Sequence, residues 1–311
     1  MMIRNIYKQH LSLLSKLYDK NEAESILRLL YESVLEKQLG LLLMENNEIQ
    51  EQQQILDVYF RRLMNNEPIQ YILNKAHFYG REFYVDKNVL IPRNETEELV
   101  KLILDSEKTD EKLKVLDIGT GSGCIPITLD LESENFEVSG MDISEEALNV
   151  ARRNMKHLGV DIDFFYGDVF LINDSDWRVN MHIRSHDLQN FSQPEIFNSE
   201  LKTRGTELFD IIVSNPPYIL EKEKSLMKKN VLDYEPELAL FVPNDDGLKY
   251  YKAIIDALPF LLKDTGRLYL EINNLFAEEI ITLLKQYFNG VTINKDFRGN
   301  DRFVAAKGVK S

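Results

Sequence analysis

Three aspartates and one asparagine in this chain stand where apolar runs give way to turns, and their types and spacing could carry chemistry. They are Asp117 in "VLDIGTGSG", Asp142 in "EVSGMDIS", Asp168 in "FFYGDVF" and Asn215 in "IIVSNPPYIL". After Asp117 the turn is glycine-rich: Gly119, Gly121 and Gly123 alternate with Thr120 and Ser122, removing Cβ atoms where a backbone must bend tightly or meet a ligand. The spacing is neither G-x-G-x-x-G nor a phosphate loop ending in Gly-Lys-Ser/Thr. A carboxylate at the head of such a turn would repel a pyrophosphate and attract an ammonium or sulfonium. Asp142 follows 25 positions later, near the offset at which an acidic residue meets ribose hydroxyls in nucleotide-binding α/β units. Asp168, with Val169 beside it, could accept from an adenine amino group. Each aspartate alone has a plain reading as a helix cap, a role open to Asp142 before "ISEEAL". Three in succession suit a cationic adenosine ligand without phosphates, S-adenosylmethionine.

Asn215 is followed by Pro216, Pro217 and Tyr218. Each proline fixes its own φ and pushes the residue before it into an extended conformation, and neither offers an N–H. The result is a rigid pair of acceptors, the Asn215 side-chain oxygen and the Pro216 carbonyl, suited to the two hydrogens of a planar –NH₂ group on which Tyr218 can stack. Methylating such a nitrogen is hard because its lone pair is delocalised. Two acceptors that draw the hydrogens toward tetrahedral positions free the lone pair, so positioning and electrostatics supply the catalysis. Asn215, Pro216 and Tyr218 are the candidate catalytic residues, and Asn215 to Tyr218 the candidate substrate grip.

The elements that must position these residues follow from the hydrophobic pattern. Residues 1–75 read as a small helical domain, with helical spacing at Ile26, Leu29, Leu30, Ser33, Val34 and Lys37, a cap at Asn21 before Glu24, and a second helix from about Glu48 to Met64. Residues 76–95 read as a linker with a hairpin around Gly80. From 96 to 311 short apolar runs alternate with helical segments, with strands expected at 113–118, 137–142, 161–166, 209–214, 265–272, 290–295 and 302–307. That alternation predicts an α/β fold, a seven-stranded doubly wound Rossmann-like domain whose ligands sit beyond the carboxyl ends of the strands. Residues 169–208 break the rhythm and read as an insertion containing Trp177, His182 and His186. The two histidines are four apart, but no third ligand accompanies them, and no metal is expected.

The chain has 311 residues, a single cysteine, Cys124, and a formal net charge of −14. Its first 90 residues carry 11 basic and 12 acidic side chains, leaving 26 and 39 for the rest, so neither part has the basic footprint that duplex binding needs. Nothing at its start reads as a charged-then-apolar export signal, and no apolar run approaches the length a membrane helix needs. A cytoplasmic monomer without nucleic acid or membrane partners is expected.

At these residues the chain resembles the glutamine N5-methyltransferases that modify peptide-chain release factors. "QYILNKAHFYGREFYV" and "VLIPRNETEELV" resemble that family's linker, "VLDIGTGSG" its cofactor loop, "SNPPYI" its substrate motif, and "EPELALF" with "DDGLKYY" a following segment. The resemblance implies that Gly119 to Gly123, Asp142, Asp168, Val169 and Asn215 contact S-adenosylmethionine, that Asn215 to Tyr218 hold the substrate glutamine of a Gly-Gly-Gln loop, and that the helical domain helps dock the release factor. The chain departs from the family pattern at Asn74, where glycine is common, at Asn94, where proline follows "LIPR", at "VPNDDG", and in the length of the Trp177 segment. The runner-up activity is methylation of an adenine or guanine amino group in nucleic acid, which the acidic charge opposes. A binding module without turnover is opposed by the intact Asn-Pro-Pro-Tyr run.

Overall fold

The computed structural model of the chain describes residues 2–172 and 208–310, so the segment with Trp177, His182 and His186 lies outside the described residues. Two compact units are present, one of them formed by Met1–Lys75, Val85–Lys87 and Met227–Glu235. Its helices are α1 (Ile3–Leu14), α2 (Lys20–Leu35), α3 (Leu39–Glu45), α4 (Gln50–Met64) and α5 (Ile69–Leu73). The cap of α2 is Asp19, whose side chain accepts from the Glu22 amide at 2.9 Å, and not Asn21, which lies inside the helix. Asp-x-x-Glu two residues earlier wins because its aspartate sits where the chain is still extended. The buried stripe of α2 is Ala23, Leu27, Leu30 and Tyr31, while Leu29, expected inside, is 40% exposed. Apolar type alone did not set the phase of that helix. In the core of the unit His10 stacks on Phe60 at 3.7 Å and its Nδ1 meets the Tyr31 hydroxyl at 2.9 Å. Asn74 ends α5 with φ of +53°, the left-handed conformation that glycine also adopts, and its Nδ2 donates to the Val85 carbonyl at 3.0 Å. The distant segment 227–235 joins this unit through Lys228 with Glu22 at 3.0 Å and the Tyr234 hydroxyl donating to the Asn65 carbonyl at 2.8 Å.

The other unit opens with the hairpin of β1 (Ala76–Phe78) and β2 (Arg81–Phe83). Its two-residue turn, Tyr79 at φ +49° and Gly80 at φ +74°, has the positive φ values that match the twist of paired strands. Helix α6 (Asn94–Ser106) follows; Asn94, in place of proline, is its first residue, where either type is tolerated. The main sheet then alternates with helices: β3 (Leu113–Ile118), α7 (Cys124–Glu132), β4 (Phe136–Asp142), α8 (Glu145–Leu158), β5 (Asp163–Tyr166), β6 (Phe209–Ser214), and, after the short elements β7 (Ile219–Leu220), α9 (Lys229–Leu232) and β8 (Phe241–Val242), α10 (Lys249–Leu261), β9 (Leu262–Glu271), α11 (Ala277–Tyr287), β10 (Phe288–Lys295) and β11 (Asp301–Val309). Among the described residues the order is β10-β11-β9-β6-β3-β4-β5, parallel except for β11. This is the doubly wound seven-stranded sheet, with β5 starting two residues later and β9 three residues earlier than the apolar pattern indicated. Ile211, Ile212 and Val213 of β6 are wholly buried, as a central strand covered on both faces requires. The chain leaves β3 toward β4 and β5, then returns to place β6 on the opposite side, so the crevice opens at the carboxyl ends of β3 and β6. Among the described residues no helix is long and apolar enough to cross a membrane.

Candidate functional site

Four neighbouring strands deliver the site to one edge of the sheet. Ile118 pairs with Ser214 on one side and Met141 on the other, and Asp142 pairs with Tyr166. The Ser214 hydroxyl donates to the Ile118 carbonyl at 2.7 Å, fastening the ends of β3 and β6 together. Gly119 and Asn215 therefore leave the sheet side by side.

The glycine loop is shaped by close approach and by left-handed backbone. Gly123 has φ of +76°, and a Cβ there would stand 3.1 Å from Ala151, Ile127 and Phe164, so only glycine lets α7 start against α8 and β5. Gly119 and Gly121 also have positive φ, but nothing lies within 4 Å of a Cβ built on either, leaving an open cradle along the backbone. Asp142 organises this loop. Its Oδ2 accepts from the Gly121 amide at 2.8 Å and its Oδ1 from the Ser144 amide at 2.9 Å. Ser144, whose Oγ accepts from the Ala147 amide at 3.1 Å, is the cap of α8, so the cap role left open for Asp142 belongs to its neighbour. Burial raises the Asp142 carboxyl pKa, and the backbone amides of Ser144, Gly121 and Ile143 work against that rise.

Asp117 is fully buried at the end of β3, and neither carboxylate oxygen has a hydrogen-bond partner; the Thr120 hydroxyl is likewise unpartnered. Burial pushes the Asp117 carboxyl up to about 7, the Asp142 charge adds to the rise, and the nearby Thr120 hydroxyl pulls it down. Asp168 lies two residues past β5, and its Oδ1 accepts from the Phe170 amide at 2.9 Å, capping the single turn Val169–Leu171. Val169 is buried in the apolar core beneath.

On the other side of the crevice a chain of polar contacts fixes the Asn-Pro-Pro-Tyr turn. Asn215 Nδ2 donates to Thr96 Oγ1 at 3.1 Å, and Thr96 donates to Glu271 Oε2 at 2.9 Å. The Tyr218 hydroxyl donates to Glu271 Oε1 at 3.1 Å, Arg302 Nη1 lies 3.4 Å from that hydroxyl, and Asn273 Nδ2 donates to the Tyr218 carbonyl at 3.1 Å. Glu271 is 1% exposed; burial raises its pKa, while Thr96, Arg302 and Tyr218 hold the charge in place. Just beyond the turn, β7 (Ile219–Leu220) pairs in parallel with β8 (Phe241–Val242), so the "EPELALF" segment supports the exit from the prolines. Thr96, Glu271, Asn273 and Arg302 were absent from the sequence-based site. Glu271 had a signal: in "LYLEINN" an acid closes an apolar run, the same pattern that singled out the aspartates. Thr96 sits in the quoted "NETEEL" stretch, but nothing local tells which residue it will face.

A methyltransferase-domain family model matches residues 109–275. A release factor glutamine methyltransferase from Flavobacterium psychrophilum is 37% identical over 98% of this chain and 98% of its own length. One from Bacteroides thetaiotaomicron is 42% identical over 82% of this chain and 81% of its own. The chain belongs to the release factor glutamine methyltransferase family. Likeness to solved structures is more distant: a methyltransferase from Pyrococcus furiosus aligns with a TM-score of 0.44 and 16% identity over 80% of this chain and 96% of that one. As a release factor glutamine methyltransferase family member, the chain keeps both halves of its site on one unit, the glycine loop with Asp117 and Asp142 on one side and Asn215 with its polar chain on the other.

Proposed function

We propose that the protein transfers the methyl group of S-adenosylmethionine to the side-chain amide nitrogen, N5, of the glutamine in the Gly-Gly-Gln loop of a peptide-chain release factor. The observation that carries this is the held Asn215 amide, whose Nδ2 is engaged by Thr96 so that its oxygen is free to accept from an incoming primary amide. When bound, S-adenosylmethionine supplies an electrophilic sulfonium methyl. The residues present fit that donor: the unpartnered Asp117 carboxylate suits a cationic group, the Gly119–Gly121 cradle admits a ligand along the backbone, and the Asp142 carboxylate retains lone pairs for ribose hydroxyls. Asp168 and Val169 would hold the adenine end of the donor, and Thr120 and Ser122 would complete the loop around it.

Asn215 Oδ1 and the Pro216 carbonyl each accept one hydrogen of the glutamine –NH₂, and Tyr218 packs on its plane. As the nitrogen becomes tetrahedral both acceptors tighten, which places their contribution in the transition state more than in the ground state. The methylated nitrogen is strongly acidic and loses its proton to solvent, so no strong base is required. Pro217 keeps Pro216 extended. The helical unit contributes to docking the release factor, the protein acts as a cytoplasmic monomer, and neither nucleic acid nor membrane is a partner.

Mass spectrometry of a purified release factor after incubation with the protein and labelled donor tests the reading. One added methyl on the Gly-Gly-Gln glutamine is expected. Asn215→Ala should cut the transfer rate by about a hundredfold while changing donor affinity little, as loss of a transition-state acceptor does. Label on added RNA or DNA, or on any other residue, would overturn the substrate assignment.

A further inference from the structure

An asparagine amide offers an oxygen on one side and an –NH₂ on the other, two faces of nearly equal shape and opposite chemistry. Only one orientation can accept a hydrogen from an acceptor amide, and among the described residues Asn215, half-buried after β6, is joined to the rest of the site through its side chain by the hydrogen bond from its Nδ2 to Thr96 Oγ1. What selects that orientation is decided by where the protons in the neighbouring contacts can go.

Glu271, ionised, can only accept. Its Oε1 receives the Tyr218 hydroxyl proton and its Oε2 the Thr96 hydroxyl proton. Threonine has one hydroxyl proton, so once it is committed to Glu271 the Thr96 oxygen has only lone pairs to offer. The partner it can take is therefore a donor, Asn215 Nδ2. With the amide turned over, Asn215 Oδ1 would face Thr96 Oγ1 with no proton between them, and Nδ2 would face the hydrogens of the acceptor amide. Both contacts would be repulsive. The Arg302 guanidinium, held by the Ile272 carbonyl at 3.2 Å and beside Asp296 at 3.5 Å, keeps positive charge next to the carboxylate that anchors this chain.

We infer that Thr96 and Glu271 are positioning residues that set the polarity of the Asn215 side chain, directing its oxygen at the acceptor –NH₂. The same carboxylate directs the Tyr218 hydroxyl away from the acceptor, so one buried acid orients both polar side chains of the Asn-Pro-Pro-Tyr turn. Thr96 lies 119 positions from Asn215 and 175 from Glu271, on the first turn of α6, so α6 acts through the threonine to organise the turn that follows β6.

The inference rests on the proposed amide methylation, and two readouts separate the two. The first is kinetic, with release factor as acceptor. Thr96→Val, which keeps the shape and removes the hydroxyl, should lower kcat by about tenfold or more with donor affinity by calorimetry within a few-fold of wild type, and Thr96→Ser should restore most of the rate. Glu271→Met, of similar length and with no oxygen to accept the Thr96 proton, should also lower kcat, because the hydroxyl proton is then free to turn toward Asn215; it also serves if the valine variant does not fold. A Thr96→Val enzyme with wild-type kcat, or a serine variant as impaired as the valine one, would overturn the inference. The second readout needs no substrate: the Asn215 side-chain –NH₂, assigned by its loss in Asn215→Ala, should show one exchange-protected proton by NMR that disappears in Thr96→Val. An unprotected pair in wild type would overturn the inference. A wild-type enzyme that fails to methylate any release factor would overturn the substrate reading alone, with the NMR result standing.

Discussion

At the residue scale, Asp117 and Asp142 show how two carboxylates 25 positions apart take different tasks. Asp142 spends both oxygens on backbone amides and shapes the loop, whereas neither Asp117 oxygen has a partner in hydrogen-bond geometry and burial raises its pKa to about 7 from 3.8 against the pull of the nearby Thr120 hydroxyl. A folded-state pKa above the unfolded one means that the folded protein binds the extra proton between about pH 4 and 7. Ionising Asp117 therefore costs stability as pH rises through that window, by a few kcal/mol at most above it. A cationic ligand reverses the preference. Donor affinity, measured by calorimetry, should rise about tenfold from pH 6 to pH 8 as the carboxylate forms. Asp117→Asn should remove this dependence, weaken donor binding at pH 8, and leave the ligand-free melting temperature at pH 8 equal or higher. A wild-type donor affinity that ignores pH would exclude Asp117 as the partner of a cationic group.

The elements carry a second layer of constraint. Gly140 lies within β4 with ordinary backbone, yet a Cβ there would stand 2.6 Å from the Phe164 ring of β5 and 2.9 Å from Thr120 Oγ1. Gly140→Ala should destabilise the protein by about 1–3 kcal/mol in urea unfolding, as overpacking does, and loosen donor binding through Thr120. An unchanged midpoint would mean that the ring moves aside freely. In the helical unit, burial holds His10 down at about 4, below its ordinary 6.5, so its neutral form is the folded one. Stability from this contact is full above pH 6.5 and is lost as pH falls toward 4; thermal unfolding across that range should show the loss, and His10→Gln should flatten it. Strand and helix types were legible because period-2 and period-3.6 patterns are local. The phase of α2 was not, since Leu27 and Leu29 are equally apolar and only neighbouring helices decide which is covered.

For the molecule as a whole, the helical unit draws in Val85–Lys87 and Met227–Glu235, so its boundary is not a single cut in the chain. Removing residues 1–75 would strip Lys228 and Tyr234 of Glu22 and Asn65. The truncated chain should keep donor affinity within a few-fold, because every donor-facing residue named above belongs to the other unit, and should melt at a lower temperature. It should also methylate a whole release factor much more slowly than a short Gly-Gly-Gln peptide, relative to the full chain. Equal losses on both acceptors would remove the helical unit from docking.

The order of strands and helices, the glycine turn, the three aspartates and the rigid Asn-Pro-Pro-Tyr run are all properties of short stretches, and the residues themselves determined them. Backbone rules act within a few positions, so strand ends and turns can be read where they stand. The partnership of Thr96, Asn215 and Glu271 spans up to 175 positions and joins α6, β6 and β9. Only the parallel register of β6 against β9 and the packing of α6 bring them within hydrogen-bond reach. Which carboxylate stays unpartnered is also a tertiary fact: Asp117 and Asp142 look alike in the chain, and burial together with the direction of nearby amides decides that one shapes the loop and the other waits for a cation.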